Sequence, residues 1–175
     1  MKQILLILSL FLVWTCSSDI APPGHQRAEI LQIRDNTLVE ILALDPELVG
    51  DINAAPAFAI FSNQSNDKVK LANGIGIGVI HNNLTGHNHF LLAETTLTQQ
   101  PNTRFIFVFD NKPQIEKFIS YAQVIHDESE MAEHPTFSLS DIALTVYQLN
   151  QGGELLSVNL KEGRFWQSER LNQTE

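Results

Sequence analysis

The run Arg104-Phe105-Ile106-Phe107-Val108-Phe109 constrains the fold more than any other stretch of this chain. Successive side chains of a strand point to opposite faces. A strand that is apolar at both parities must be covered on both sides, which makes this one central and doubly covered. The length of 175 residues suits one domain with one sizeable core.

Residues 27–44 read as a helix, because Ile30, Leu31, Ile33, Leu38, Ile41, Leu42 and Leu44 share one wide arc at about 100° per residue. Arg34 projects near the middle of that arc. Its stem either packs flat with the guanidinium at the rim, the commoner outcome, or the arginine is buried against a carboxylate or carbonyls. Asp45-Pro46 supplies an N-cap and a first-turn proline for a second helix reaching about Asn53. Residues 57–61 (AFAIF) form a short strand, and residues 74–81 pair with 89–93 through a turn at 82–86.

Pro113 opens a later helix to about Ile125, with Ile115, Phe118, Ile119 and Ala122 at helical spacing. Residues 127–133 are a charged break. Residues 142–149, 155–160 and Phe165-Trp166, separated by turns at Gly152-Gly153 and Lys161-Glu162-Gly163, read as an antiparallel meander. Strand and helix do not alternate, which argues against a parallel nucleotide-binding sheet. The expected class is α+β, with N-terminal helices and one later helix packed on an antiparallel sheet or incomplete β-barrel.

Residues 1–15 read as a lipoprotein signal peptide. Lys2 is followed by an apolar run at 4–14 broken only by Ser9, too short for a hydrocarbon core that takes about 20 residues. Val13-Trp14-Thr15-Cys16 resembles a bacterial lipobox, with an aliphatic residue three positions before the cysteine. Cys16 is the expected lipidation site; the plain alternative is a secreted protein cut near Ser17 or Ser18. The resemblance implies two or three acyl chains on Cys16, a stable anchor where one chain is marginal. Ser17, rather than Asp, points to the outer membrane with the domain in the periplasm. Residues 16–26 would then be the acylated cysteine and a tether, and residues 27–175 a single globular domain.

Lys and Arg total 11 and Asp and Glu 20, a formal net charge of −9. Nucleic acid is therefore an improbable partner, since phosphate binding needs clustered basic side chains. One cysteine excludes a disulfide framework and a thiolate zinc cluster. Six histidines keep a histidine and carboxylate site open.

Gly74-Ile75-Gly76-Ile77-Gly78 is not a dinucleotide loop, because Val79 and His81 stand where that fingerprint needs glycine. Glycines at period two leave one face of a strand without side chains. Gly74, Gly76 and Gly78 are thus candidates for a ligand groove, although internal packing is the more ordinary use. His81, His87 and His89 flank one turn and are weak metal candidates, a surface hairpin being the simpler reading. His126, Asp127, Glu128, Glu130, Glu133 and His134 fit neither HExxH nor an EF-hand and read as a solvated acidic loop. Ser62, Ser138 and Ser140 have no histidine and carboxylate partners visible in sequence. No enzyme and no cofactor are expected.

Several blocks stand in a familiar order: residues 30–38, residues 52–63, Ala72-Asn73-Gly74-Ile75-Gly76-Ile77-Gly78-Val79, Arg104-Phe105-Ile106-Phe107-Val108-Phe109, Val146-Tyr147-Gln148-Leu149 and Gly163-Arg164-Phe165-Trp166. Together they resemble the bacterial lipoprotein branch of the SYLF lipid-binding domain family, over most of residues 27–172. The resemblance implies a non-catalytic domain that binds phospholipid or an acyl chain, held at the membrane through Cys16, with the Gly74, Gly76 and Gly78 block as the matching candidate site. Two blocks depart from the family: Glu94-Thr95-Thr96-Leu97-Thr98-Gln99-Gln100-Pro101-Asn102-Thr103 stands in place of a second glycine-rich segment, and Ser120-Tyr121-Ala122-Gln123 in place of a Gly-Trp segment. Lys68 and Lys70 are the only close basic pair. The rival expectation is a protein-interaction or scaffold lipoprotein that has lost lipid binding.

Overall fold

Phe105, Phe107 and Phe109 project to one side of a sheet and Ile106 and Val108 to the other, all five buried. They form β4 (Arg104–Phe109) in a computed structural model that describes residues 21–173 apart from 127 and 134. β4 lies between β1 (Ala57–Ser62) and β7 (Thr145–Leu149), antiparallel to both, with Phe107 opposite Ala59 on one side and Val146 on the other. Beyond β1 come β2 (Gly76–Asn82), β3 (Asn88–Glu94), β9 (Glu162–Ser168) and β5 (Gln123–Ile125). Beyond β7 lies β8 (Leu155–Val158), and the two-residue β6 (Phe137–Ser138) pairs with the start of β9. Among the described residues only the β5–β9 pairing is parallel, so the sheet is mixed, and it does not close into a barrel.

One face carries stacked phenylalanines. α3 (Lys112–Tyr121), capped by Asn111 through Gln114 N–H at 3.0 Å, lays Ile115 and Phe118 across it. Phe118 meets Phe165 edge-on at 4.9 Å and Phe107 at 5.7 Å. Such pairs add about 0.5–1.5 kcal/mol each beyond the area they bury. The other face is covered by α1 (Pro23–Leu44) and α2 (Pro46–Ala54), and at the β9 end by the short α4 (Glu169–Asn172). Asp45 caps α2 by accepting Leu48 N–H at 3.0 Å, and Ile41, Leu48 and Ile52 then pack on Ile60 and Ile106. The fold is α+β, with helices packed on a sheet.

Four details differ from the sequence reading. α1 starts at Pro23 rather than Arg27, and its buried line is Gln26, Ile30, Thr37 and Ile41, with Leu42 and Leu44 about half exposed. A helix lying on a sheet touches it along a seam, so only the centre of a wide apolar arc is covered. Thr37 is tolerated there because its hydroxyl donates to Ile33 O at 2.7 Å. α3 stops at Tyr121, since Gln167 Nε2 donates to the carbonyls of Ile119 at 3.1 Å and Ala122 at 2.7 Å, and Gln123–Ile125 continues as a strand along β9. Two orphan carbonyls at the helix end are satisfied by that one amide. The expected meander also breaks: β9 leaves β8 and pairs with β3, Trp166 opposite Leu92. Phe165 and Trp166 are apolar at both parities and need cover on both faces, which the edge beside β8 does not give. Finally, Glu128–Glu133 is a 3₁₀ helix rather than an unstructured break.

Candidate functional site

Of the three glycines, Gly74 lies outside β2 in a turn at φ +80°, a conformation that favours glycine. Gly76 and Gly78 face the phenylalanine layer. A Cβ on Gly78 would lie 2.3 Å from Ile60 O and 2.5 Å from the Phe61 ring; one on Gly76 would meet the Thr98 methyl at 2.9 Å. The groove expected over Gly74, Gly76 and Gly78 is therefore filled by the protein's own Phe61 and Thr98. Thr98 is held there by donating to Gly74 O at 2.6 Å and accepting Thr95 N–H at 2.9 Å.

The three hairpin histidines do not converge. His81 pairs with Asn88 and His89 with Ile80, adjacent register positions whose side chains point to opposite faces. His81 packs on Phe58 at 5.5 Å and its Nδ1 donates to Asn88 Oδ1 at 2.8 Å. His87 is exposed in the loop. Burial, with a smaller contribution from His87, lowers the His89 pKa from its usual 6.5. Among the described residues no three histidine, cysteine or acidic side chains gather as a metal site would require. Arg34 is largely buried, its side chain 16% exposed, with Nε donating to Asp35 Oδ1 at 2.8 Å and Nη1 to Asn88 Oδ1 at 3.2 Å. The stem is mostly covered while the guanidinium meets the neighbouring Asp35, itself 60% exposed, at the surface, so neither alternative is met in full. Ser62 Oγ accepts Gln64 N–H at 3.1 Å, and the hydroxyls of Ser138 and Ser140 bond to each other. Cys16 lies outside the described residues.

A cavity of about 540 Å³ opens on the opposite face of β2 from Gly76 and Gly78. Ile77 and Leu92, cross-strand partners in β2 and β3, form its floor with Ile125 of β5 and Leu171 of α4. Its wall is the connection at residues 63–75. Asn66 Oδ1 accepts the N–H groups of Lys68 at 2.9 Å and Val69 at 2.8 Å, and Ser65 Oγ donates to Val69 O at 3.2 Å. That turn sets Val69 inward, 2% exposed, and leaves Lys68 and Lys70 outside.

The mouth is cationic. Lys68, Lys70 and Arg170 line it beside the His126 ring, and no aspartate or glutamate does so among the described residues. Acids stand behind it: Glu29 holds Lys68 Nζ at 2.8 Å and Asn66 Nδ2 at 2.8 Å, latching the wall to α1, and Glu169 pairs with His126. Arg170 Nη2 donates to the neutral Gln26 Oε1, and Lys70 has no ion-pair partner among the described residues. A second hollow of about 350 Å³, near α2, carries Asp51 and Asp110 instead.

An apolar chamber with cations at its opening can shelter a chain and hold a charged head. Sequence reasoning singled out the glycines of β2 and missed the isoleucine between them, although Ile77 lies at the opposite parity. Lys68-Val69-Lys70-Leu71 carried the other signal, an alternation with one charged and one apolar side. Nothing local marked Arg170 or Gln26. No helix among the described residues is long and apolar enough to cross a membrane. No family model matches the chain, and no curated protein is significantly similar to it.

Proposed function

We propose that this chain is a lipid-anchored envelope protein whose folded domain binds a lipid or acyl chain without catalysing a reaction, in the manner of the SYLF-like proteins it resembles. The single observation that carries the reading is the cavity over Ile77 and Leu92, which joins an apolar floor to the exposed side chains of Lys68, Lys70 and Arg170. Anchoring rests on the apolar run at 4–14 and Cys16, with the outer membrane and periplasm as the setting. Ala21 lines the cavity five residues after Cys16. At about 3.3–3.6 Å per extended residue, the anchor keeps the opening within reach of the bilayer surface.

Two measurements test the two halves. Cys16→Ser is expected to abolish acyl labelling and release the protein from membranes; unchanged fractionation defeats the anchor. Extraction of the wild-type full chain followed by mass analysis is expected to release a non-covalent lipid, and chain that carries none defeats the binding role. A second reading, an interaction module located by its anchor, is favoured by edge strand β8, where Leu156 is 46% exposed on an open rank of backbone groups.

A further inference from the structure

We infer that the cavity over β2 and β3 takes a single-chain amphiphile with an anionic head, a carboxylate or phosphate monoester, its chain on Ile77, Leu92 and Leu171 and its head at Lys70 and Arg170. The inference rests on the lipid-binding reading above and adds the class of ligand.

Size sets the chain number. About 540 Å³ falls within the range of about 300–1,000 Å³ usual for one small ligand, which suits one acyl chain with a small head. Charge sets the head. The chain carries −9 overall, yet three of its 11 Lys and Arg residues line this one opening. Lys68 is already paired with Glu29, and the His126 ring lies against Glu169, with Glu130 accepting the His126 backbone N–H. Lys70 and Arg170 remain for the ligand, the latter bonded only to a neutral amide among the contacts of its side chain. A neutral head gains nothing from either exposed cation, whereas an anionic head pairs with both, so the discrimination is for negative charge. A second chain would have to lie outside the chamber, against water.

The test is displacement of a neutral environment-sensitive fluorophore from the delipidated full chain. Palmitate and lysophosphatidic acid are expected to displace it about five- to tenfold more effectively than hexadecanol, as two exposed charge contacts allow, and inorganic phosphate is expected to have no effect. Lys70→Gln, and Lys70→Gln with Arg170→Gln, should bring palmitate down towards the alcohol and leave the alcohol unchanged. Lys70 is exposed and makes no ion pair among the described residues, so melting temperature should hold in Lys70→Gln, while the double variant also gives up the Arg170 bond to buried Gln26 and should melt somewhat lower. The preference should also shrink with added salt. Equal displacement by palmitate and hexadecanol overturns the anionic head while leaving the lipid-binding reading intact. Displacement by inorganic phosphate overturns the amphiphile in favour of a small-anion site. Failure of every amphiphile overturns the lipid-binding reading itself.

Discussion

At the scale of single residues, two glycines give opposite predictions from the same substitution. Gly78→Ala places a methyl within 2.3 Å of Ile60 O and against the Phe61 ring, neither of which can move without shifting β1. It should destabilise by about 1–3 kcal/mol, the usual cost of overpacking a core. Gly50 sits inside α2 with nothing within 4 Å of an added Cβ, so Gly50→Ala should stabilise by about 0.5–1 kcal/mol. Urea denaturation of both variants checks the pair; a tolerated Gly78→Ala would mean that the ring does not lie on the glycine. His89 carries a pH prediction. Burial lowers its folded pKa below 6.5, so the unfolded chain takes up the proton first. The stability associated with the neutral ring is complete above the unfolded value and is lost as pH falls below it towards the folded one. Between about pH 7.5 and 5.5 the wild type should lose more stability than His89→Gln; parallel curves would contradict this.

At the scale of elements, the wall at residues 63–75 is held to α1 by one carboxylate, Glu29, which takes both Asn66 and Lys68. Glu29→Gln should loosen that wall, seen as faster amide exchange at residues 66–71, and should strengthen palmitate binding by freeing Lys68. Unchanged exchange and affinity would mean the latch has no hold on the cavity. These same elements show what can be read from a sequence. β4 was legible because six apolar or aliphatic-stemmed residues at both parities leave one solution, and the caps Asp45 and Asn111 were legible because their effect is local. The end of α3 was not, because it depends on Gln167, 45 and 48 residues along the chain from the two carbonyls it reaches from β9. The placement of β9 beside β3 was hidden for the same reason. Its neighbour is chosen by where Trp166 can be covered on both faces, a long-range matter. The cavity was half legible: Lys68-Val69-Lys70-Leu71 and Ile77 were visible as alternation, but their meeting with Leu171 and Arg170 required the whole sheet order.

At the scale of the molecule, three clusters divide the work. The phenylalanine face is covered by α3 and the Ile41 cluster by α2, with the smaller acidic hollow at its edge, while the Ile30 and Trp166 cluster opens to the larger cavity. A ligand that fills the opening completes that third core, so binding and stability are linked. Palmitate at about a hundred times its Kd should add about 2.7 kcal/mol, which for a chain of this size raises Tm by about 5–10 °C. Leu71→Trp, a wall residue turned into a plug, should abolish the rise while folding normally.

The most direct measurement is photo-crosslinking with a diazirine-bearing palmitate, followed by peptide mapping of the full chain. The account predicts labels on residues 68–71, on Ile77 and Leu92, and on residues 168–171, all lost in Leu71→Trp. Labels confined to the phenylalanine face, or labelling that Leu71→Trp leaves untouched, would contradict it.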